Sequence, residues 1–181
     1  MVVRMLAKKG TIIKVLKEVF EWSKVVFCAL AISLLIKNTV AASAVVPTGS
    51  MEETVMTGSR IVINRLAYLC STPQRGDIVS FYYPDDGETL YLKRIIGLPG
   101  ETIKGVDGKV YINGNEIEDY TSNVFRDDFG PYTIPNDCYF MMGDNRSNSW
   151  DSRYWDNKYV SESEIIGKAE IEYYPEIKVL R

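Results

Sequence analysis

The sequence predicts a mainly β fold, an antiparallel sheet or partly open barrel, preceded by one N-terminal transmembrane helix. Two observations predict it. An apolar stretch lies near the N-terminus behind basic residues, and the rest consists of short apolar or alternating runs separated by Gly, Pro, Asp and Asn. The 181 residues, 46% of them hydrophobic, are enough for one folded domain with a modest appendage.

The apolar stretch runs from Val25 to Ile36 without a charged residue. With its flanks it predicts a transmembrane anchor over residues 22–44. About 20 residues give roughly 30 Å of helix, enough to cross a bilayer if Lys24 and Lys37 extend toward the two membrane surfaces.

The charge distribution predicts the orientation of this anchor. Basic residues before it favour a cytoplasmic tail over residues 1–21 and an extracytoplasmic β-rich domain over residues 45–181. A cleavable signal is an alternative, because Ala42-Ser43-Ala44 follows the apolar core. Lys37 between core and motif argues against cleavage, which would also leave Pro47–Met51 at a frayed terminus. A buried helix of a soluble domain is the third interpretation.

The strands of the domain are predicted from its short apolar runs. They cover residues 60–66, 77–83, 90–96, 108–114, 138–143 and 165–174. Asp107-Gly108 predicts a hairpin turn that returns into Tyr111 and Ile112. Residues 103–140 are predicted to be a small insert, and within it residues 119–135 have the composition of a flexible loop.

The chain contains no histidine, which excludes Ser-His-Asp and Cys-His catalysis and the usual histidine-bearing zinc sites. Cys28, Cys70 and Cys138 lack metal or redox spacing and are expected to fill apolar space, although a bridge between Cys70 and Cys138 stays open. A net charge of -3 and a pI near 5.1 argue against a nucleic-acid partner. No metal and no cofactor is predicted.

Without histidine, a hydroxyl nucleophile needs another base, and lysine is the natural substitute. A neutral lysine at pH 7 costs roughly 4 to 5 kcal/mol unless burial lowers its pKa. In a strand, the period of two places Tyr91, Lys93 and Ile95 on one face, so an aromatic ring and an Ile would flank the amine. The alternative is that Lys93 and Arg94 are two solvent-facing charges on an edge strand.

Four sequence blocks in this order strongly resemble the type I signal peptidases. They are Pro47–Met51, Arg75–Val79, Tyr91–Glu101 and Gly143–Arg153. The resemblance covers nearly the whole chain after the tail. It implies a catalytic domain of the signal-peptidase type that removes N-terminal signal peptides from secreted preproteins through an acyl-enzyme. It also implies an extended groove that accepts small residues before the cut, in an Ala-x-Ala pattern.

The same resemblance assigns roles to individual residues. Ser50 matches the nucleophile and Lys93 the general base. Thr48 matches an oxyanion donor, and Ser149 matches a serine that orients the amine. The remaining site residues are the charged residues Asp144, Arg146, Asp151 and Arg153, which brace the site, and the substrate-binding residues Met51 and Tyr91. Glu53 stands where the family usually has proline, which bears on the loop geometry and substrate access.

The expected partners are membrane-tethered preproteins and the lipid bilayer, since Ser50 lies about a dozen residues beyond the apolar stretch that ends at Ile36. The chain is expected to be a monomer in the cell membrane. A self-cleaving Ser-Lys repressor-type protease, a non-catalytic peptide-binding module and a structural envelope protein are the alternatives. The anchor argues against the first, retention of both Ser50 and Lys93 against the second, and the absence of histidine and the four ordered blocks against the third.

Overall fold

The computed structural model describes residues 2–118 and 120–181, without the side chains of residues 2–16, 35, 37 and 38. Met1, the side chains of most of the predicted tail, the Lys37 side chain and Asp119 of the predicted loop therefore lie outside the described residues. The chain divides into two units, Met1–Val40 and Ala41–Arg181.

The first unit is a single helix, α1, which spans Val2–Thr39. Large apolar side chains in its second half are exposed, Phe27 by 72% and Leu30 by 60%. Among the described residues, no helix has both the length and the apolar character needed to cross a membrane.

The predicted anchor boundary at residue 44 is wrong, because the helix ends at Thr39 and Ala41–Val45 forms a strand. This strand pairs along its whole length with Arg60–Asn64. Ala42 and Ala44 pack against a buried cluster, so the small residues that looked like the end of an anchor belong to the β unit.

The second unit consists of strands and short 3-10 turns. The strands are β1 (Ala41–Val45), β2 (Arg60–Asn64), β3 (Ile78–Tyr82), β4 (Leu90–Gly97), β5 (Thr102–Val106), β6 (Lys109–Ile112), β7 (Asn115–Glu116), β8 (Phe129–Thr133), β9 (Cys138–Met142), β10 (Val160–Ser161), β11 (Ile165–Tyr174) and β12 (Lys178–Val179). Strands β2, β3, β4, β6, β9 and β11 confirm the six predicted strands, whereas β1, β5, β7, β8, β10 and β12 were not among them.

Two sheets result. An eight-stranded sheet has the order β1-β2-β11-β3-β4-β9-β10, with β12 beside β11, and a four-stranded sheet has the order β7-β6-β5-β8. Every strand pairing among the described residues is antiparallel. The predicted mainly β, antiparallel fold is therefore confirmed, and β1 and β10 are the two ends of the main path.

The predicted insert of residues 103–140 corresponds to the smaller sheet but not to its limits. The sheet runs from Thr102 to Thr133, whereas Cys138 begins β9 of the main sheet. The Asp107-Gly108 hairpin is confirmed, because Val106 pairs with Lys109 and both turn residues have the positive φ that a two-residue turn requires, 50° and 76°.

The prediction of a flexible loop over residues 119–135 is wrong for Phe129–Thr133, which form β8. Phe129 is 8% exposed, and its ring stacks on Phe140 of the main sheet at 5.8 Å between centroids. Pro131 concealed the strand in the sequence, but β8 is an edge strand, where a missing N–H is tolerated.

Three buried clusters form the core. One joins the smaller sheet to β4 and β9, one lies between β1, β2 and the turn after β1, and one lies around Trp155. The cysteines are all free: Cys28 and Cys70 are exposed, and Cys138 packs partly buried against the first cluster. Apolar filling is therefore confirmed for Cys138 and wrong for the other two.

Candidate active site

A groove of about 740 Å³ on the β unit contains both predicted reacting residues. Its walls come from β1, β2, β3 and β4. Ser50 and Lys93 both line it, together with Thr48, Met51 and Tyr91. The sheet thus brings into one cavity residues that lie in two separate blocks of the sequence.

Ser50 lies in the 3-10 turn Gly49–Met51, which follows β1. The Met51 side chain is fully buried in the cluster below the turn. From the other side, the Asn145 backbone N–H donates to the Ser50 carbonyl at 3.1 Å, and the Asn145 side-chain amide donates to the Gly49 carbonyl at 2.9 Å. The Thr48 hydroxyl lies 3.4 Å from the Ser50 hydroxyl. The turn is therefore held by one buried side chain and one asparagine.

Gly143 makes the closest approach to this turn. A Cβ atom placed on Gly143 would lie 2.3 Å from the Ser50 carbonyl oxygen and 2.2 Å from the Ser149 hydroxyl. Only glycine fits between these atoms without a shift of the backbone. The segment that begins at Gly143 therefore packs directly on the nucleophile turn.

Lys93 lies in β4, paired with Val79 of β3, and only 3% of its surface is exposed. Tyr91 and Ile95 pack with one cluster, as the two-residue period predicted, and the amine lies 5.7 Å from the centre of the Tyr91 ring. Burial lowers the pKa of Lys93 from 10.5 to about 8. The solvent-facing alternative is wrong, since Arg94 is also buried.

Nearby charges modify the pKa of Lys93 less than burial does. The carboxylates of Asp151 and Asp144 raise it, and the Arg153 guanidinium lowers it. Each carboxylate is already paired: Arg153 donates two hydrogen bonds to Asp151 at 2.7 and 2.8 Å, and Arg94 donates two to Asp144 at 2.9 and 2.6 Å. Because their charges are offset by arginines, the carboxylates do not restore the ordinary pKa of the amine.

The other predicted residues of the last block lie in the same segment. Arg146 donates from Nε to the Gly143 carbonyl at 3.1 Å, and Arg153 donates to the Arg146 carbonyl at 2.9 Å. Ser149 is 7% exposed, and within the described chain its buried hydroxyl has no hydrogen-bond partner. Among the described residues, neither the Ser149 hydroxyl nor the Ser50 hydroxyl is hydrogen-bonded to Lys93.

Comparison with known proteins shows the family. Residues 19–174 match the family described as "Signal peptidase, peptidase S26". The chain belongs to this family. It is 34% identical over 161 residues to "Probable signal peptidase I-2" of Synechocystis sp. (strain ATCC 27184 / PCC 6803 / Kazusa). The aligned region covers 86% of this chain and 73% of that protein.

Further signal peptidases match over similar lengths. "Signal peptidase I S" of Bacillus subtilis (strain 168) is 35% identical over 171 residues, covering 88% of this chain and 91% of that protein. A crystal structure of a signal peptidase I from Enterococcus faecalis V583 is 32% identical and covers 54% of this chain and 97% of that one, with a TM-score of 0.47.

Family membership decides the reaction class. The chain is a serine endopeptidase of a family that removes signal peptides, and the predicted resemblance to the signal peptidases is confirmed. The repressor-type protease and the structural envelope protein are thereby set aside.

The structure adds four residues that sequence reasoning did not assign to the site: Arg94, Gly143, Asn145 and Trp150. Arg94 is the buried partner of Asp144. Because Arg94 directly follows Lys93, whose role as a base requires burial, the sequence already indicated that a buried Arg94 would need a partner of opposite charge. Gly143 and Asn145 belong to the last block, but their contacts with Ser50 depend on the fold.

Proposed function

We propose that Ser50 and Lys93 cleave signal peptides as a Ser-Lys dyad. The neutral Lys93 amine takes the proton of the Ser50 hydroxyl as the oxygen attacks the scissile carbonyl. The resulting ammonium gives its proton to the departing amine, which leaves an ester on Ser50. A water molecule, deprotonated by the same amine, then attacks the ester and releases the acid.

The observation that carries this proposal is the buried amine in the groove that Ser50 lines. A pKa of about 8 leaves about a tenth of Lys93 neutral at pH 7, whereas a pKa of 10.5 would leave almost none. A base whose pKa lies close to the working pH is the most efficient proton acceptor. With no histidine in the chain, a buried lysine is well suited to this task.

Two hydroxyls support the reacting pair. We propose that Thr48 and the backbone N–H of Ser50 stabilise the oxyanion, a contribution worth about 3 kcal/mol per donor. The position of the Thr48 hydroxyl beside the Ser50 hydroxyl supports this role. Ser149 is proposed to orient the amine, since its buried hydroxyl has no other partner within the described chain and remains available for Lys93.

The substrate is proposed to be a membrane-tethered preprotein with small residues, typically Ala, before the cut. Strand β1 is an edge strand that lines the groove, so an extended peptide has a free strand beside which it can pair. Met51 and Tyr91 line the same groove and are proposed to contact the substrate. No cofactor and no metal takes part in this mechanism.

We propose that α1 carries a single membrane anchor, with the N-terminus cytoplasmic, the β unit outside and the protein monomeric. The stretch Val25–Ile36 makes roughly 18 Å of helix, so the flanks of the stretch must contribute to the crossing. The exposed apolar side chains of this half of the helix support insertion. Retention in the membrane pellet after alkaline extraction tests the anchor, and release into the supernatant contradicts it.

The function is tested by cleavage of a purified preprotein with an Ala-x-Ala junction by the detergent-solubilised chain. Wild type is expected to cut after the last Ala, whereas Ser50→Ala, Lys93→Ala and Lys93→Arg are inactive, since a guanidinium does not give up its proton. The rate should rise with pH and level off above about 8, where the amine is neutral. Equal activity of Lys93→Arg and wild type contradicts the dyad.

A further inference from the structure

Trp150 is an exposed aromatic residue in the wall of the groove. It is 55% exposed and lines the groove that Ser50 and Lys93 also line. Its two neighbours in the chain, Ser149 and Asp151, are buried, so the backbone on both sides is fixed. A large indole left in contact with water at the edge of a binding cleft is a frequent anchor for a ligand.

The orientation of the indole is fixed before any ligand arrives. Its Nε1–H donates to the Tyr83 hydroxyl at 3.4 Å, and that hydroxyl donates to Asp85 at 2.6 Å. Asp85 in turn accepts the backbone N–H of Asn157 at 2.7 Å. The indole also stacks on Tyr154, with 5.6 Å between ring centroids. Little conformational entropy remains to be lost when a ligand contacts it.

The same groove has two more exposed apolar side chains. Tyr82 of β3 and Leu90 of β4 are paired across the two strands, are 41% and 58% exposed, and line the groove. We call Tyr82, Leu90 and Trp150 the apolar rim. The charged residues of the lining are Lys93, which is buried, and Arg65. The rim therefore offers apolar surface without a charged group of its own.

We propose that Trp150 forms a subsite for one bulky apolar side chain of the substrate, and that Tyr82 and Leu90 extend the apolar surface of the same groove. The subsite is separate from the parts of the groove that accept the small residues of the substrate, because a small side chain does not need a large apolar surface. The inference rests on the proposed function, since the ligand is a residue of the peptide cut by Ser50. Burial of a Leu side chain against the indole favours that substrate over one with Ser by about tenfold.

The experiment measures kcat and KM for preproteins that carry Leu, Ser or Lys at each position flanking the two Ala residues of the junction. At one position, wild type is expected to prefer Leu over Ser about tenfold through KM, and Trp150→Ala is expected to lose this preference. Tyr174→Ala, which removes an equally exposed aromatic outside the groove, should keep it.

Three outcomes overturn the proposal: no position that prefers Leu, a preference for Lys, or an equal loss of activity for all substrates in Trp150→Ala, which indicates a merely structural role.

If wild type cuts none of the preproteins, the proposed function fails, and the rim is then tested by binding. The Leu peptide should bind Ser50→Ala about tenfold more tightly than the Ser peptide, and addition of Trp150→Ala should remove the difference. Equal binding of both peptides overturns the rim.

Discussion

Lys93 lies in the interior of strand β4, whereas Ser50 lies in a turn outside any strand. Strand β4 is paired on both sides, with β3 and with β9, and its buried residues are shared among the core clusters. The Ser50 turn depends instead on contacts from Gly143 and Asn145, which approach it from far along the chain. One reacting group is held by a sheet, and the other by a few specific contacts.

The difference follows from what each group must do. A lysine base needs a dry environment, which a paired strand within the sheet supplies at the expense of stability. A serine nucleophile needs exposure to the substrate and an exact direction of its hydroxyl, which a turn supplies if another segment fixes it. Changes in β4 are therefore expected to affect stability, and at Lys93 activity as well, whereas changes around the turn are expected to affect mainly activity.

The largest effect is expected for Arg94→Met. The Arg94–Asp144 pair is buried, with 1% and 0% of the two side chains exposed, and removal of the arginine leaves a buried carboxylate that still accepts the hydrogen bond of the Thr54 hydroxyl. The free energy of unfolding should fall by about 3 to 5 kcal/mol, measured by urea denaturation. Lys109→Met breaks an exposed pair and should change it by less than about 1 kcal/mol. Equal effects of the two variants would show that the buried pair is solvated.

The next effect is a gain of stability in Lys93→Met. The unfolded amine binds a proton up to pH 10.5, but the folded amine only up to about pH 8, so between these values the unfolded state binds more protons and stability rises with pH. Below pH 8 the buried charge costs wild type about 3 kcal/mol. The advantage of Lys93→Met should be largest below pH 8 and shrink by this amount toward pH 10.5. An advantage independent of pH would contradict the lowered pKa.

The two regions also differ in how far the sequence predicts them. The face shared by Tyr91, Lys93 and Ile95 follows from the two-residue period of a strand, and the structure confirms that Tyr91 and Ile95 pack in one cluster. The contacts of the Ser50 turn do not follow from any local pattern, because they depend on how separate segments pack. The pairing of Arg94 with Asp144 likewise depends on the register of β4 and β9.

The same reason explains the errors at the edges of the fold. Strand β1 looked like the end of an anchor, since small apolar residues occur both in a membrane helix and in a strand. Only its pairing with β2 distinguishes the two structures. Strand β8 looked like a loop because Gly130 and Pro131 dominate its local signal, while burial of Phe129 against another sheet decides its structure. In both cases a tertiary contact overrides the local composition.

Gly143→Ala tests the contact that fixes the turn. The added methyl group must displace the Ser50 carbonyl or the Ser149 hydroxyl, and a shift of about 1 Å at the reacting atoms costs roughly a hundredfold in kcat/KM. Gly105→Ala is the matched control, because its methyl would meet Phe129 and Phe125 in the smaller sheet. The control should lower stability while the folded enzyme keeps its kcat/KM. Equal kcat/KM for both variants would show that Gly143 does not position the serine.

The smallest effect is expected at Glu53, where the resemblance described above leads us to expect proline. Glu53 has a φ of 80°, in the left-handed region. Proline, with its φ near −65°, cannot adopt this conformation, so the backbone at Glu53 differs from one that contains proline at this position. The Glu53 carboxylate accepts hydrogen bonds from Thr121 at 3.2 Å and Ser122 at 3.3 Å, but the residue is exposed, so these contribute little.

Glu53→Gly should therefore raise the free energy of unfolding by up to about 1 kcal/mol, because glycine adopts this φ without strain. Glu53→Ala removes the same carboxylate but keeps the strain, so the difference between the two variants isolates the backbone contribution. The measurement is the urea midpoint of both. A Gly variant no more stable than the Ala variant would mean that the left-handed conformation at Glu53 carries no strain, and that the Ser50 turn tolerates many residues at this position.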